Sequence, residues 1–430
     1  MATPIPYNEL YPPPPITALK MAYLGKPLSA LPVPSALLDR PVVEANCDHM
    51  QRVAAKLDCK FRAHVKTHKT VELSKLQVSE SPWHIRLATS TLSEIEHLLP
   101  WLISAVSTGS TISLLYAIPP APSLIPALAS IASRLPPSAL ALLLDSPSQV
   151  PFLAHLPPVS IFLKLDTGYH RAGLHPSSAQ LVALAAAVRA TPNLTLKGLY
   201  SHLGSSYGGS YPADSAEGTC TELHGLMEGL TAVGGDGLTL SLGATPTALA
   251  GAAFDPNRKM SWLETIRILR QRKHEVELHA GVYSVLDAQQ IATGASEWLG
   301  WDKIGLKMMV EVTSVYEERG EVLVNGGALV FGREPCKDYN GWGVVAGVVG
   351  EDEGRGHFDF KGREGWILGK VSQEHGILRW EGKGDQRTLN IGERVLIWPN
   401  HACIAGAGFG WYFVVEEGKV VDVWARCRGW

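Results

Sequence analysis

Between about residues 35 and 285 the chain alternates short apolar runs with longer segments of helical period. The runs are FRAHVKTH (61–68), HIRLATS (84–90), TISLLYAI (111–118), LALLLDS (140–146), VSIFLKLD (159–166), LKGLYSH (196–202), LTLSLGAT (238–245) and EVELHAG (275–281). Each has the length of a strand, and several are rich in Leu, Ile and Val. Between them VVEANCDHMQRVAAKLD (42–58), TLSEIEHLLPWL (91–102), SSAQLVALAAAVRA (177–190) and MSWLETIRILRQRK (260–273) read as amphipathic helices. Asp, Ser or Thr at several of their starts fit N-caps. The Ala/Leu/Pro-rich stretch 118–158 reads as helix, turn and strand.

Eight strand-then-helix units predict an α/β fold, a (β/α)8 TIM barrel, although a doubly wound open sheet shares the alternation. The polar residues favour the barrel. Lys66, Asp166, Arg171, Tyr200, His202, Thr245, Gly281 and Tyr283 fall at or just after strand C-termini. In a barrel all such ends face one mouth. After about residue 300 the segments become short, Gly-punctuated and β-rich, as in LKMMVEVTSVYEE, GWGVVAGVV and RVLIWPNHACIAGAG. Closely recurring turn signals predict an all-β domain. The expected organisation is a Pro-rich arm over 1–30, a barrel over 31–295 and a β domain over 296–430, with 349–365 an exposed polar loop.

Composition narrows the classes. A chain of 430 residues, 46% of them hydrophobic, is ample for a large core and for two domains. The net charge of -3 carries no basic stripe, which argues against a nucleic-acid partner. No uninterrupted apolar run approaches the ~20 residues of a membrane span. The start, MATPIPYNELYPPPP, lacks the pattern of a secretory signal. Cys47, Cys59, Cys220, Cys336, Cys403 and Cys427 are scattered without a CxxC pair, so a reducing compartment, the cytoplasm, is expected.

Chemistry concentrates at the strand ends. Lys66, in RAHVKTHKT, stands where a lysine that condenses with a carbonyl cofactor would stand. Read alone it is more readily a surface lysine in a basic turn, with His64, His68 and Lys69 as solvated neighbours; the rest of the chain reverses that. In KLDTGYHRAG (164–173) a turn at the strand end lets Arg171 point back over the mouth, where its planar fork suits a phenolate or carboxylate; Asp166 is equally a structural Asx turn. Tyr200 and His202 are two apart and share one side of their strand. They are a candidate acid–base and ring-stacking pair, or a packed aromatic pair. SLGATPT (241–247), with Gly243 and Thr245, and HAGVY (279–283), with Gly281 and Tyr283, follow the last two strands. Phosphate sites in barrels are frequently built there. In PNHAC (399–403), His401 and Cys403 are separated by one residue, as in zinc sites that keep open positions, or by chance.

Together these motifs resemble the alanine-racemase-like (fold type III) group of pyridoxal-phosphate enzymes, and within it the zinc-dependent D-serine dehydratases. The resemblance runs from PSALLDRPVVEAN (34–46) to PNHAC (399–403). It implies pyridoxal 5'-phosphate carried on Lys66, Arg171 near the phenolic oxygen, His202 stacked on the ring and Tyr200 near the reacting carbon. It further implies phosphate held at Gly243, Thr245, Gly281 and Tyr283, zinc on His401 and Cys403, a small D-amino acid substrate and a homodimer. Two departures stand out: His279 where relatives often have Arg, which leaves the pyridine nitrogen's partner open, and Ala63 where the family pattern usually has proline. On the same scaffold D-threonine aldolases and D-3-hydroxyaspartate dehydratases are rivals; their metal pair resembles His-x-Asp, so Cys403 leans toward a dehydratase. A non-catalytic pyridoxal-phosphate-binding protein is the alternative of another class, and the β domain and PNHAC argue against it.

Overall fold

The computed structural model describes residues 7–78, 84–350, 358–359, 363–384 and 386–430. Of the predicted loop 349–365, residues 351–357 and 360–362 lie outside the described residues, as do the first six residues of the expected arm. The chain divides into two compact units: residues 48–281 with 293–297 and 429–430, and residues 1–47, 282–292 and 298–428.

Eighteen strands are formed among the described residues, β1 being Ser35–Asp39. The first unit is the predicted barrel. Strands β2 (Lys60–His64), β3 (His84–Thr89), β4 (Thr111–Tyr116), β5 (Leu140–Leu144), β6 (Val159–Lys164), β7 (Leu194–Tyr200), β8 (Thr239–Leu242) and β9 (Glu275–Ala280) form a closed eight-stranded ring. Every pair is parallel, including β2 with β9, which shuts the ring at Lys60↔Glu277 to Ala63↔Ala280. Each coincides with one of the eight apolar runs, and the open-sheet alternative is set aside. Four helices, Arg40–Lys56 before β2 and Leu92–Ser107, Ala179–Ala190 and Pro256–Gln271 between barrel strands, lie where the helical period places them. Thr91, Ser178 and Asp255 cap three of these by accepting from backbone N–H groups of the first turn. A fifth, the 22-residue helix Pro212–Val233, was not foreseen.

The barrel strands contribute both an apolar cluster and a buried polar one. Ala88, Leu115, Ala141, Leu143, Phe162 and Tyr200 form the apolar cluster. The second is polar. Arg62 Nε donates to Glu277 Oε1 at 2.7 Å, Arg86 Nη1 donates to Glu277 Oε2 at 3.0 Å, and Arg62 also donates to Ser113 Oγ and to the Leu87 and Ser113 carbonyls. Arg62 and Glu277 are buried. A buried pair is tolerated only when its remaining hydrogen bonds are met, as they are here.

The second unit is built on a sheet containing β1 with β10 (Leu306–Tyr316), β11 (Glu321–Val324), β12 (Gly343–Val348), β13 (Phe358–Asp359), β14 (Glu364–Val371), β15 (Gly376–Glu381), β16 (Arg394–Pro399), β17 (Trp411–Glu416) and β18 (Lys419–Ala425). The order is β11-β15-β14-β12-β16-β10-β1-β17-β18, and β10 also pairs with β11, so six strands close a ring. Every described pairing is antiparallel except β1 with β17. The predicted β-rich texture after residue 300 therefore corresponds to an antiparallel sheet, which also takes in the N-terminal strand β1. Leu37, Met309, Val344, Ile367, Leu396, Trp398 and Phe413 share its core. The arm helix Ile16–Tyr23 packs on it, with Tyr23 edge-on to Phe413 at 5.2 Å and Lys20 paired to Asp422. No helix among the described residues is long and apolar enough to cross a membrane.

Candidate active site

Lys66 follows β2 directly and is half-buried. The turn that carries it is fastened on both sides. Its own N–H donates to His64 Nδ1 at 3.3 Å, and Lys69 N–H donates to the Val65 carbonyl at 2.8 Å. Because His64 Nδ1 accepts, the proton of that neutral ring sits on Nε2, which meets Ser90 Oγ at 3.3 Å. Burial, then the charge of Lys66, holds His64 well below the usual histidine range. His68 Nε2 meets Gln77 Oε1 at 2.9 Å, and Lys69 pairs with the buried Glu94 at 2.9 Å. His64 and His68 are thus buried struts, and the solvated basic turn is excluded.

Tyr200 ends β7 and His202 follows it, and both rings lie against His279, with centroids 4.1 and 6.0 Å away. Tyr200 is buried and stacks on His279 with ring centroids 4.1 Å apart and planes 8° apart. Burial pushes its phenol far up, so it stays protonated at neutral pH. His202 Nδ1 lies 2.8 Å from the Gly243 carbonyl, which can only accept, so Nδ1 carries the proton. Burial, then the charges of Lys66 and Arg171, lower this histidine to about 3. It is a neutral flat ring on which both cations act. Arg171 itself is exposed, 5.3 Å over the Tyr169 ring. Asp166 is the Asx-turn residue of the plainer expectation: its carboxylate accepts from the Gly168 and His170 N–H groups, each at 3.0 Å.

Two groups here were not singled out from sequence. Lys164, at the end of β6, is buried beneath the mouth. Its Nζ donates to the Leu165 carbonyl at 2.7 Å and lies 5.8 Å from the Tyr200 ring centre. Burial lowers it to about 8. Glu277 is held low, to about 2: burial opposes ionisation, but Arg62 and Arg86 outweigh it. Ionised Glu277 must accept, so Ser241 Oγ donates to it at 2.8 Å and in turn accepts from His279 Nδ1 at 3.0 Å. His279 is therefore the Nδ1–H tautomer. Its Nε2 offers a buried lone pair with no hydrogen-bond partner among the described residues. The only sequence signal for this chain was a charged residue at alternate positions of otherwise apolar strands.

The small-residue segments lie at the ends of β8 and β9. Gly243 has φ 137°, and a Cβ there would stand 2.4 Å from the His279 carbonyl oxygen, so only glycine lets these two strand ends approach. Thr245 is buried, with Oγ1 lacking a partner among the described residues. A Cβ at Gly281 would lie 3.0 Å from the His64 carbonyl oxygen, next to the Lys66 turn. Lys66, Arg171, Tyr200, His202, Gly243, Thr245 and Gly281 therefore belong to one unit and one barrel rim. Tyr283, buried, belongs to the sheet unit.

His401 and Cys403 are also in the sheet unit, at the start of the short helix Ala402–Ala407 after β16. The Ala402 N–H donates to buried Asp287 Oδ2 at 2.8 Å, which fixes the turn. His401 Nδ1 is buried without a hydrogen-bond partner among the described residues and lies 4.0 Å from Glu334 Oε2. Burial lowers this histidine, but the Cys403 hydrogen bond and charge, then Asp287 and Glu334, together raise it to about 9. An orphaned imidazole nitrogen beside a cysteine is a donor set that suits zinc. No group of three or more His, Cys, Asp or Glu that could hold a metal occurs among the described residues.

A lysine at the mouth of an eight-stranded parallel barrel is the layout of the alanine-racemase class, and residues 38–263 match the family profile described as "Alanine racemase, N-terminal domain". Residues 305–415 match the one described as "Putative serine dehydratase domain". The D-serine dehydratase of Schizosaccharomyces pombe is 33% identical over 96% of this chain and 95% of its own length, and that of Saccharomyces cerevisiae 30% over 95% and 98%. The solved D-threo-3-hydroxyaspartate dehydratase of Delftia sp. HT23 superposes with a TM-score of 0.76 at 26% identity, covering 94% of this chain and 100% of that one. The chain belongs to the D-serine dehydratase family, built on the alanine-racemase barrel.

Proposed function

We propose that the protein is a pyridoxal-phosphate- and zinc-dependent D-serine dehydratase, a lyase converting D-serine to pyruvate and ammonia and working as a homodimer. The observation that carries this reading is the set of unspent polar groups at the predicted positions: the Lys66 amine at the rim, the partnerless Thr245 Oγ1, and the partnerless His401 Nδ1 beside Cys403. Full-length similarity to enzymes named D-serine dehydratase supports the substrate. A cysteine-to-alanine variant of the Delftia 3-hydroxyaspartate dehydratase has been solved in the metal-free form, and a second variant replaces the histidine two positions earlier; this supports a cysteine metal ligand in the relatives, but it overturns the expected His-x-Asp pair for that rival, so Cys403 does not separate this chain from it.

When bound, pyridoxal phosphate on Lys66 supplies an electron sink for the charge left by the α-proton, and zinc on His401 and Cys403 a Lewis acid for the β-hydroxyl. The remaining chemistry is the chain's own. Lys66, once released, is the base for the α-proton. His202, fixed as a neutral Nδ1–H ring, offers a flat face without a competing charge. Arg171 supplies a permanent cation for a phenolate. Thr245 and Gly281, with Gly243 shaping the rim, receive a phosphate monoester, and Tyr283 is assigned to the same group. Tyr200, held protonated by burial, can donate a hydrogen bond but not serve as a base.

The test is incubation with D-serine, L-serine, D-threonine and D-3-hydroxyaspartate, with and without a chelator. Pyruvate from D-serine, abolished by the chelator and restored by zinc, is expected. Lys66→Ala loses the cofactor's visible absorbance, whereas Cys403→Ala keeps it and loses at least ~100-fold in elimination rate, since even disturbing a metal ligand's hydrogen-bond partner costs ~10–100-fold. Glycine and acetaldehyde from D-threonine, or keto acid from D-3-hydroxyaspartate alone, would replace the assignment with aldolase or 3-hydroxyaspartate dehydratase.

A further inference from the structure

Glu222 is in the middle of helix Pro212–Val233 and is fully buried. A buried carboxylate is unfavourable unless its oxygens are hydrogen-bonded. Here one oxygen carries three donors. Oε1 accepts from Ser201 Oγ at 3.0 Å, from the Leu203 N–H at 3.0 Å and from the Gly243 N–H at 3.3 Å. Oε2 accepts from Thr247 Oγ1 at 3.3 Å. These donors come from two separate connections, the one after β7 and the one after β8. Ser201 and Leu203 flank His202, whose Nδ1–H reaches the Gly243 carbonyl at 2.8 Å. The Gly243 residue is thus held by its N–H through Glu222 and by its C=O through His202.

We propose that Glu222 is a positioning residue that locks the His202 segment and the Gly243–Thr247 segment into one cradle for a phosphate monoester; this rests on the cofactor reading above. Charge is not what Glu222 contributes to such a cradle, since a carboxylate opposes an arriving phosphate. What it contributes is acceptor geometry. Without it, the Leu203 and Gly243 N–H groups are buried donors with nowhere to go, and each segment relaxes separately. Thr247 extends the brace, because its Oγ1 also accepts from the Ala244 N–H at 2.7 Å, one residue before the partnerless Thr245 hydroxyl.

The tests use apoenzyme. Glu222→Gln keeps a carbonyl oxygen for the three donors, and its amide donates to Thr247 Oγ1, whose hydroxyl turns to the Ala244 carbonyl 3.2 Å away. Glu222→Ala removes all acceptors, and Glu222→Asp withdraws them by one methylene, so the milder variant answers if alanine prevents folding. Spectrophotometric titration is expected to show pyridoxal phosphate bound ~10-fold or more weakly by Glu222→Ala, the scale of one lost hydrogen bond to a charged group. Pyridoxal, lacking the phosphate, loses less, and Glu222→Gln stays near wild type. Amide hydrogen exchange of Leu203 and Gly243 accelerates together in Glu222→Ala and Glu222→Asp but not in Glu222→Gln. Equal losses for pyridoxal and its phosphate, or a glutamine variant as damaged as alanine, would overturn the proposal. Wild-type protein that took up no pyridoxal phosphate would instead refute the cofactor reading, and the exchange of Leu203 and Gly243 would still decide the brace.

Discussion

Lys164 shows how much a single side chain can be made to bear. Its ammonium is surrounded by barrel wall, with the Leu165 carbonyl and the Tyr200 face as its near polar company. Burial lowers it from 10.5 to about 8. The unfolded chain therefore binds more protons than the folded one between pH 8 and 10.5, and stability from this group rises with pH across that window. Below pH 8 the penalty is complete, about 3 kcal/mol. Lys164→Met is expected to raise the urea midpoint of the apoenzyme at pH 7, and its advantage over wild type should shrink by pH 10. A gap that did not change with pH would mean the lysine is solvated. The sequence placed Lys66, Arg171, Tyr200 and His202 at strand ends because each sits in or just after a strand-length apolar run. Lys164, Ser241, Glu222 and Glu277 escaped notice because a charge or hydroxyl at alternate strand positions, or one acid on a long helix, looks locally like a solvated face. Only closure of the ring turns those positions inward.

Elements were more legible than residues. All eight barrel strands sit on predicted runs, since a strand covered on both faces is predominantly apolar. Helix Pro212–Val233 was missed for a physical reason: Gly218, Gly225 and Gly229 lie along it, and glycine weakens a helix by ~1 kcal/mol each. In the fold those positions touch Thr247, Thr167 and Leu165, so the missing side chains let the helix lie close to the strand ends. Strand β7 contains a sharper case. Its register with β6 slips between Ile161 and Phe162, and a Cβ on Gly198 would stand 2.1 Å from the Thr239 carbonyl oxygen of β8. Backbone cannot yield as a flexible side chain does. Gly198→Ala is expected to destabilise the barrel by ~3 kcal/mol or more, beyond the usual range for overpacking. Chemical denaturation followed by far-UV circular dichroism measures this; a shift under ~1 kcal/mol would mean β7 and β8 can separate freely.

For the whole molecule, the telling feature is where the sheet obtains its strands. β1 comes from the start of the chain and lies between β10 and β17, antiparallel to one and parallel to the other. Nothing local in SALLD distinguishes it from a barrel strand, because partner choice is settled by segments hundreds of residues away. Removing residues 411–430 deletes β17 and β18 and uncovers the outer edge of β1. Loss of sheet packing around Phe413 and Val423 is expected to lower the thermal midpoint and quench near-UV signals from Trp366 and Trp398. An unaltered thermal midpoint would show that the six-stranded ring suffices.

The same connectivity constrains synthesis. At ~5–20 residues per second, ribosomes finish the entire barrel, over tens of seconds, before either partner of Ser35–Asp39 has emerged. That greasy pentapeptide must ride along on the nascent chain, unsatisfied along both edges, beside a neighbour already free to collapse. Chaperones that shield N-terminal hydrophobic stretches therefore have a ready client here, and β17, the last strand but one to be translated, is the one that ends its wait.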